Sequence, residues 1–105
     1  MDPAIVVLVT ASSAKEAEEI SKCLLNEKLA ACVNTVKVES VFRWKQKIER
    51  AKEVLMLIKT REKLFKKLQK KVKEIHSYEV PEIIALPVIA GYRPYLDWIE
   101  QSTRS

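Results

Sequence analysis

Two unbroken apolar runs constrain this chain more than anything else in it: Ile5–Val9 and Val54–Ile58. Each is too short for a helix and carries no polar residue to face water. That pattern predicts a strand covered on both faces, as in the middle of a layered sheet. The segment after each run is amphipathic. Beyond the first, Ser13 and Glu16 have capping-box spacing. Ala17, Ile20, Leu24 and Leu25 then recur at helical spacing, with Lys15, Glu18, Glu19 and Lys22 outward, so a helix is expected over residues 14–28. Beyond the second run, Thr60 is placed to cap a helix with Glu62 in its first turn. The stripe Leu64, Leu68, Val72 and Ile75 comes next at i, i+4, i+8 and i+11.

Between these halves, Leu29–Asn34 begins a second extended stretch. Val36, Val38 and Phe42 alternate there with Thr35, Lys37 and Glu39. Residues 43–49 read as a projecting hairpin with Trp44 and Ile48 packed across it, although no Asn-Gly or Asp-Gly marks the turn. Pro81 and Pro87 bracket Ile83–Leu86, which places that strand at a sheet edge because proline donates nothing to the ladder. Tyr92–Gln101 reads as a short C-terminal helix anchored by Tyr95, Leu96, Trp98 and Ile99. The order is that of a ferredoxin-like βαββαβ sandwich of the α/β (α+β) class, with a long central hairpin and a short C-terminal helix. At 105 residues it forms one domain, residues 1–105. Two helices cover only one sheet face, so the apolar residues of the other predict a homo-oligomer.

Several function classes fall away. The formal charge is +5, and much of it lies on Lys63, Lys66, Lys67, Lys70, Lys71 and Lys73, the solvated side of the second helix. RNA-recognition domains of similar fold stack bases on aromatics of the central strands. Val54–Ile58 has none, so no nucleic-acid partner is expected. No run approaches the roughly 20 apolar residues of a membrane span. With no basic stretch before Ile5 a signal peptide is not expected either, and a cytoplasmic setting is the default. Cys23 and Cys32 are too few for a disulfide framework and read as buried small hydrophobes. There is no phosphate loop, activated nucleophile pair or acid–base couple, so the chain is not expected to be an enzyme.

Five segments together resemble the CutA family of divalent-cation tolerance proteins: Leu29–Asn34, Trp44 with Lys47-Ile48, Glu53 through Lys59-Thr60, His76-x-Tyr78-x-x-Pro81-Glu82, and Tyr95-Leu96-x-Trp98. They occur in the family's order over nearly the whole chain. The resemblance implies a ferredoxin-like protomer, a tight trimer built from long strands, and a link to copper and other divalent ions. The chain departs from the family pattern at Ser77, where proline is usual, and at Gln46, where glycine is usual. Some members carry a cysteine at the position of Val9 and a second histidine at that of Ile75. Of that ligand set only His76 is present.

The segment His76–Glu82 is therefore the candidate site. His76 is the primary metal candidate, because neutral imidazole suits Cu(II) and zinc. Glu79 and Glu82 stand nearby in sequence, and Cys32 is a weaker candidate. The cofactor implied is Cu(II) or another divalent cation, weakly bound. The competing assignment has His76 capping the C-terminus of its helix. A second functional reading is a trimeric regulatory module that binds a small anionic ligand in clefts between protomers through Arg43, Trp44 and Lys47, with Lys59 and Arg61 on the anion. The plainer alternative for Trp44 and Ile48 is packing against a neighbouring subunit.

Overall fold

The computed structural model describes residues 2–104. The first apolar run lies in β1 (Ala4–Ala11), and the second in the inner half of β3 (Lys47–Arg61). These two pair antiparallel from Ala4–Arg61 to Ala11–Val54. The remaining elements are α1 (Ala14–Asn26), β2 (Cys32–Trp44), a 3-10 turn at Glu62–Leu64, α2 (Phe65–Ile75), β4 (Ile83–Pro87) and α3 (Arg93–Ser102). The sheet order is β2-β3-β1-β4, with every neighbouring pair antiparallel. The fold is thus the expected α+β sandwich, with the apolar runs central and the proline-bracketed strand at an edge.

Alternation decides the two faces. Ile5, Val7 and Val9 of β1 and Val54, Met56 and Ile58 of β3 are buried beneath Ala17, Ile20 and Leu24 of α1 and Leu68 and Val72 of α2. Their neighbours Val6, Leu8, Leu55 and Leu57 point the other way and are half-buried. On that second face Val36 is 48%, Ile84 50% and Leu86 47% exposed, so helices leave part of an apolar surface open. The prediction of an uncovered apolar face describes the protomer correctly.

β1 reaches only as far as Val54 along β3, so residues 38–53 continue as a two-stranded arm beyond the sheet. This arm gives the molecule its long dimension, 44 × 26 × 21 Å. Its register corrects one expectation. Trp44 lies opposite Lys47, and Ile48 opposite Arg43, so Trp44 and Ile48 are on opposite faces of the ribbon. Phe42 and Trp44 share one face, and Val41 and Ile48 the other. The turn is a two-residue connection with Lys45 at φ 50° and Gln46 at φ 69°. Both lie in the left-handed region that a tight hairpin turn demands and that Asn-Gly usually fills.

Other local expectations also shift. α1 stops at Asn26, and Lys28 takes φ 57°. The Lys28 amide donates to the Leu25 carbonyl (3.1 Å) and the Leu29 amide to that of Leu24 (2.9 Å), closing a Schellman motif. Thr60 caps no helix: it is buried in β3, and its hydroxyl donates to the Leu29 carbonyl at 2.7 Å. The 3-10 turn and α2 begin without a side-chain cap. Ile75 ends the α2 stripe largely exposed. Neither cysteine is fully buried, and Cys23 Sγ lies 3.5 Å from a Glu27 carboxylate oxygen.

Candidate functional site

α2 ends because His76 turns to extended geometry, φ −79° and ψ 143°, after its amide has made the last helical bond to the Val72 carbonyl. The turn folds the imidazole inward, and its side chain has no exposed surface. Nε2 sits 2.7 Å from the Thr10 carbonyl at the end of β1. A carbonyl only accepts, so this nitrogen carries the proton. Nδ1 then has the free lone pair, and it accepts the Tyr78 amide at 3.0 Å. His76 is the C-cap residue, but its ring caps no helix carbonyl. The ring instead holds its own turn against β1.

Glu16 is the second fixed point. Its Oε1 accepts the Ser12 amide (2.8 Å) and the Ser12 hydroxyl (2.9 Å), while Oε2 accepts the Ser77 amide (2.8 Å). The capping box is therefore displaced by one residue. Ser13 Oγ accepts the Glu16 amide at 3.1 Å, but the carboxylate answers to Ser12 rather than Ser13. Burial pushes the Glu16 carboxyl upward. The hydrogen bonds from Ser12 and Ser77 together outweigh that and bring it down to about 2. The group is an anion at neutral pH, and its Oε2 lies 3.9 Å from His76 Nδ1.

Tyr78 is the third. Its ring lies tilted against the imidazole, with centroids 4.8 Å apart, and its hydroxyl donates to Glu53 Oε2 at 2.7 Å. Burial and the Glu53 carboxylate push the phenol's pKa up. Beyond Tyr78 the turn borders the base of the arm. A cavity of about 580 Å³ lies between Tyr78, Val80 and the arm residues Phe42, Trp44 and Arg50. A second, of about 620 Å³, reaches Thr10, Glu53, Pro81 and Glu82.

The named candidates do not converge. Glu79 and Glu82 are exposed; the Glu79 backbone carbonyl accepts Lys73 Nζ at 2.7 Å. Cys32 pairs with Lys59 and through it aligns with Val6, four residues along β1 from Thr10, or roughly 13 Å of strand. Its thiol lies by Asn34, and it also presses the Tyr95 phenol pKa upward after burial does so. Among the described residues no three His, Cys, Asp or Glu side chains cluster as a metal site. A closed, high-affinity metal centre does not fit these residues, because the one imidazole lone pair is already taken by an amide. The anion candidates are also divided within a protomer. Arg43 and Lys47 ride on the arm, Lys59 bonds Asn34, and Arg61 is buried against Thr103 and Asp2.

Catalysis by this cluster would need a base. Ser12 Oγ does donate to Glu16, but a carboxylate held at about 2 is a poor proton acceptor near neutrality. Sequence reasoning missed Glu16 and Glu53. The capping-box spacing had already explained Glu16, and Glu53 read as the start of a strand.

A ferredoxin-like domain with an elongated β2–β3 arm and a turn centred on a buried histidine is the class these features define. The family comparison is specific: the CutA1 divalent ion tolerance protein model matches residues 5–102. The chain belongs to that family. It is 46% identical over 99 residues to the divalent-cation tolerance protein CutA of Thermus thermophilus, covering 93% of this chain and 96% of that one. It is 43% identical over 104 residues to the chloroplastic CutA of Arabidopsis thaliana, covering 98% of this chain but only 57% of the plant protein. Its backbone matches the structure described as the periplasmic divalent cation tolerance protein CutA from Archaeoglobus fulgidus. The TM-score is 0.95 at 44% identity, over 96% of this chain and 99% of that one. No helix among the described residues is long and apolar enough to cross a membrane.

Proposed function

We propose that this chain works as a non-catalytic homotrimer in divalent-cation tolerance, binding Cu(II) or another divalent ion weakly at His76. One observation carries the metal assignment: an anionic carboxylate, Glu16, stands 3.9 Å from His76 Nδ1. Imidazole and carboxylate together suit a borderline divalent ion. To use Nδ1 the ion must displace the Tyr78 amide, which keeps affinity low. The exposed carboxylates of Glu79 and Glu82 are available to it only if the turn opens. Trimerisation is supported by the open sheet face and by the arm, since a two-stranded ribbon with apolar side chains on both faces is marginal in water by itself. The two free thiols fit a reducing compartment, and we place the protein in the cytoplasm.

Cu(II) titration with NMR detection tests the site. Paramagnetic broadening should appear first at the His76 and Tyr78 rings and be lost in His76→Gln. Broadening centred elsewhere, or unchanged stoichiometry in the variant, would sink the assignment. Sedimentation at micromolar concentration should give a trimer; a stable monomer contradicts the assembly. The alternative, a trimeric module holding a small anion in clefts between protomers, needs cations from more than one subunit, because Arg43 and Lys47 ride on the arm while Lys59 and Arg61 lie at the other end of β3.

A further inference from the structure

A cavity of about 740 Å³ lies along α2, from Arg61 at the end of β3 toward Glu74, with the C-terminal ends of α1 and α3 beside it. Seven cationic side chains line it against three carboxylates. The carboxylates are already engaged. Glu27 and Glu74 both pair with Lys71, at 3.3 and 3.6 Å, and Glu100 pairs with Arg104 at 3.9 Å. Arg61 is held by Thr103 and Asp2. That leaves Lys28, Lys63, Lys67 and Lys70, all exposed, with no ion-pair partner among the described residues.

Their arrangement is not that of a scattered solvated face. Lys63, Lys67 and Lys70 stand at i, i+4 and i+7, one side of the helical segment, roughly one 5.4 Å turn apart. Lys28 belongs to the opposite wall. It occupies the left-handed position of a Schellman motif, where glycine or asparagine is favoured and a lysine backbone is strained. An ammonium kept at a strained position beside three unpaired ammoniums on the far wall makes a concave field of one sign, which gathers multivalent anions. A single phosphate cannot span successive helix turns. A chain of phosphates can, and its oxygens match lysine's point charge and three donors.

We infer that this cavity binds a linear oligophosphate, with Lys63, Lys67 and Lys70 along one side of the phosphate chain and Lys28 on the other. The site shares no residue with the His76 turn, so it stands or falls separately from the cation reading.

Calorimetry on the full chain with inorganic triphosphate tests it, beside inorganic phosphate, a nucleoside triphosphate and a short RNA. Glutamine keeps helix propensity close to that of lysine, so Lys63→Gln/Lys67→Gln/Lys70→Gln should fold normally. This variant should bind triphosphate about tenfold more weakly or worse. A control removing the same charge elsewhere, Lys15→Gln/Lys22→Gln/Lys66→Gln, should stay within about twofold of wild type. Binding should also weaken with salt, and the amides of Lys28 and of residues 63–70 should shift on titration. A nucleoside triphosphate that binds as well as, or better than, triphosphate upholds the site and tells whether the base adds to it. Four results overturn the proposal: no binding at low salt, equal loss in the control variant, inorganic phosphate binding as tightly as triphosphate, or RNA binding preferred and lost in the same variant.

Discussion

The Tyr78 hydroxyl donates to Glu53 Oε2 at 2.7 Å, tying the turn after α2 to the strand that carries the arm. Glu53 is 8% exposed, so its carboxylate depends on partners inside the protein. Tyr78→Phe keeps the ring against His76 and removes only the donor. The expected cost is about 1–3 kcal/mol, measured as a shift of the urea midpoint at unchanged slope. Because the folded-state phenol pKa is raised, this stabilisation is complete below about 10 and fades as pH rises above that. The difference between wild type and Tyr78→Phe should shrink in alkaline solution. A variant as stable as wild type at neutral pH would show the bond to be idle.

Glu16 sets the acid limb of stability. Its carboxyl is lowered from 4.5 to about 2 in the folded protein. A depressed pKa contributes stability that is present above the unfolded value and is lost as pH falls from about 4.5 toward 2. Its side chain is 12% exposed, so solvent screens it little. The linkage corresponds to an upper bound on the order of 3 kcal/mol. Glu16→Gln should lose most of that at pH 7 and show a flatter fall between pH 5 and pH 2. Urea titrations across that range check it, and parallel curves for the two proteins would refute the assignment.

The fold was legible because its strongest signals are about burial, and burial has a period. Two apolar runs could only be central strands, and Pro81 and Pro87 could only flank an edge. The turn at His76 was legible as a place in the fold, and its contacts were not. His76 stands out by being the lone histidine, but what its ring bonds, Thr10 at 66 residues' separation, is a tertiary fact with no local pattern. Thr60 misled for the same reason. A threonine before Glu62 looks like a cap, yet strand alternation buries it, and it satisfies the Leu29 carbonyl instead. Trp44 and Ile48 look like partners across the hairpin because a turn without Asn-Gly leaves its register open; the two-residue turn at Lys45-Gln46 fixes that register and separates them.

Among the described residues, left-handed backbone occurs at three non-glycine positions, Lys28, Lys45 and Gln46. Lys28→Gly removes the left-handed penalty while keeping both Schellman bonds, and offsets part of the gain by freeing the unfolded chain. A net stabilisation of about 0.5–1 kcal/mol is expected. Replacing Lys45-Gln46 by Asn-Gly should act in the same direction for the hairpin. Chemical denaturation of each variant checks both, and a destabilised Lys28→Gly would mean that its side chain makes a contribution larger than the strain. The same Lys28→Gly protein should bind triphosphate less well, so stability and anion binding should move in opposite directions.

The arm offers the sharpest test of assembly. Phe42 and Trp44 lie on the ribbon face continuous with the open side of the sheet, 40% and 38% exposed in the protomer. Placing a carboxylate at either position leaves β2 paired with β3 but puts a charge where an apolar partner would sit. If copies of the chain cover this face, Trp44→Asp and Phe42→Asp should each shift the sedimenting species toward monomer, while the far-ultraviolet dichroism keeps its protomer signature. Ser40→Asp, a half-buried polar position on the same ribbon face, should have a smaller effect if the apolar contact is what counts. A charged residue buried at an oligomer interface without a partner costs several kcal/mol, far more than at an exposed surface site. An unchanged oligomeric state in both aromatic variants would therefore place the subunit contact away from this face of the arm.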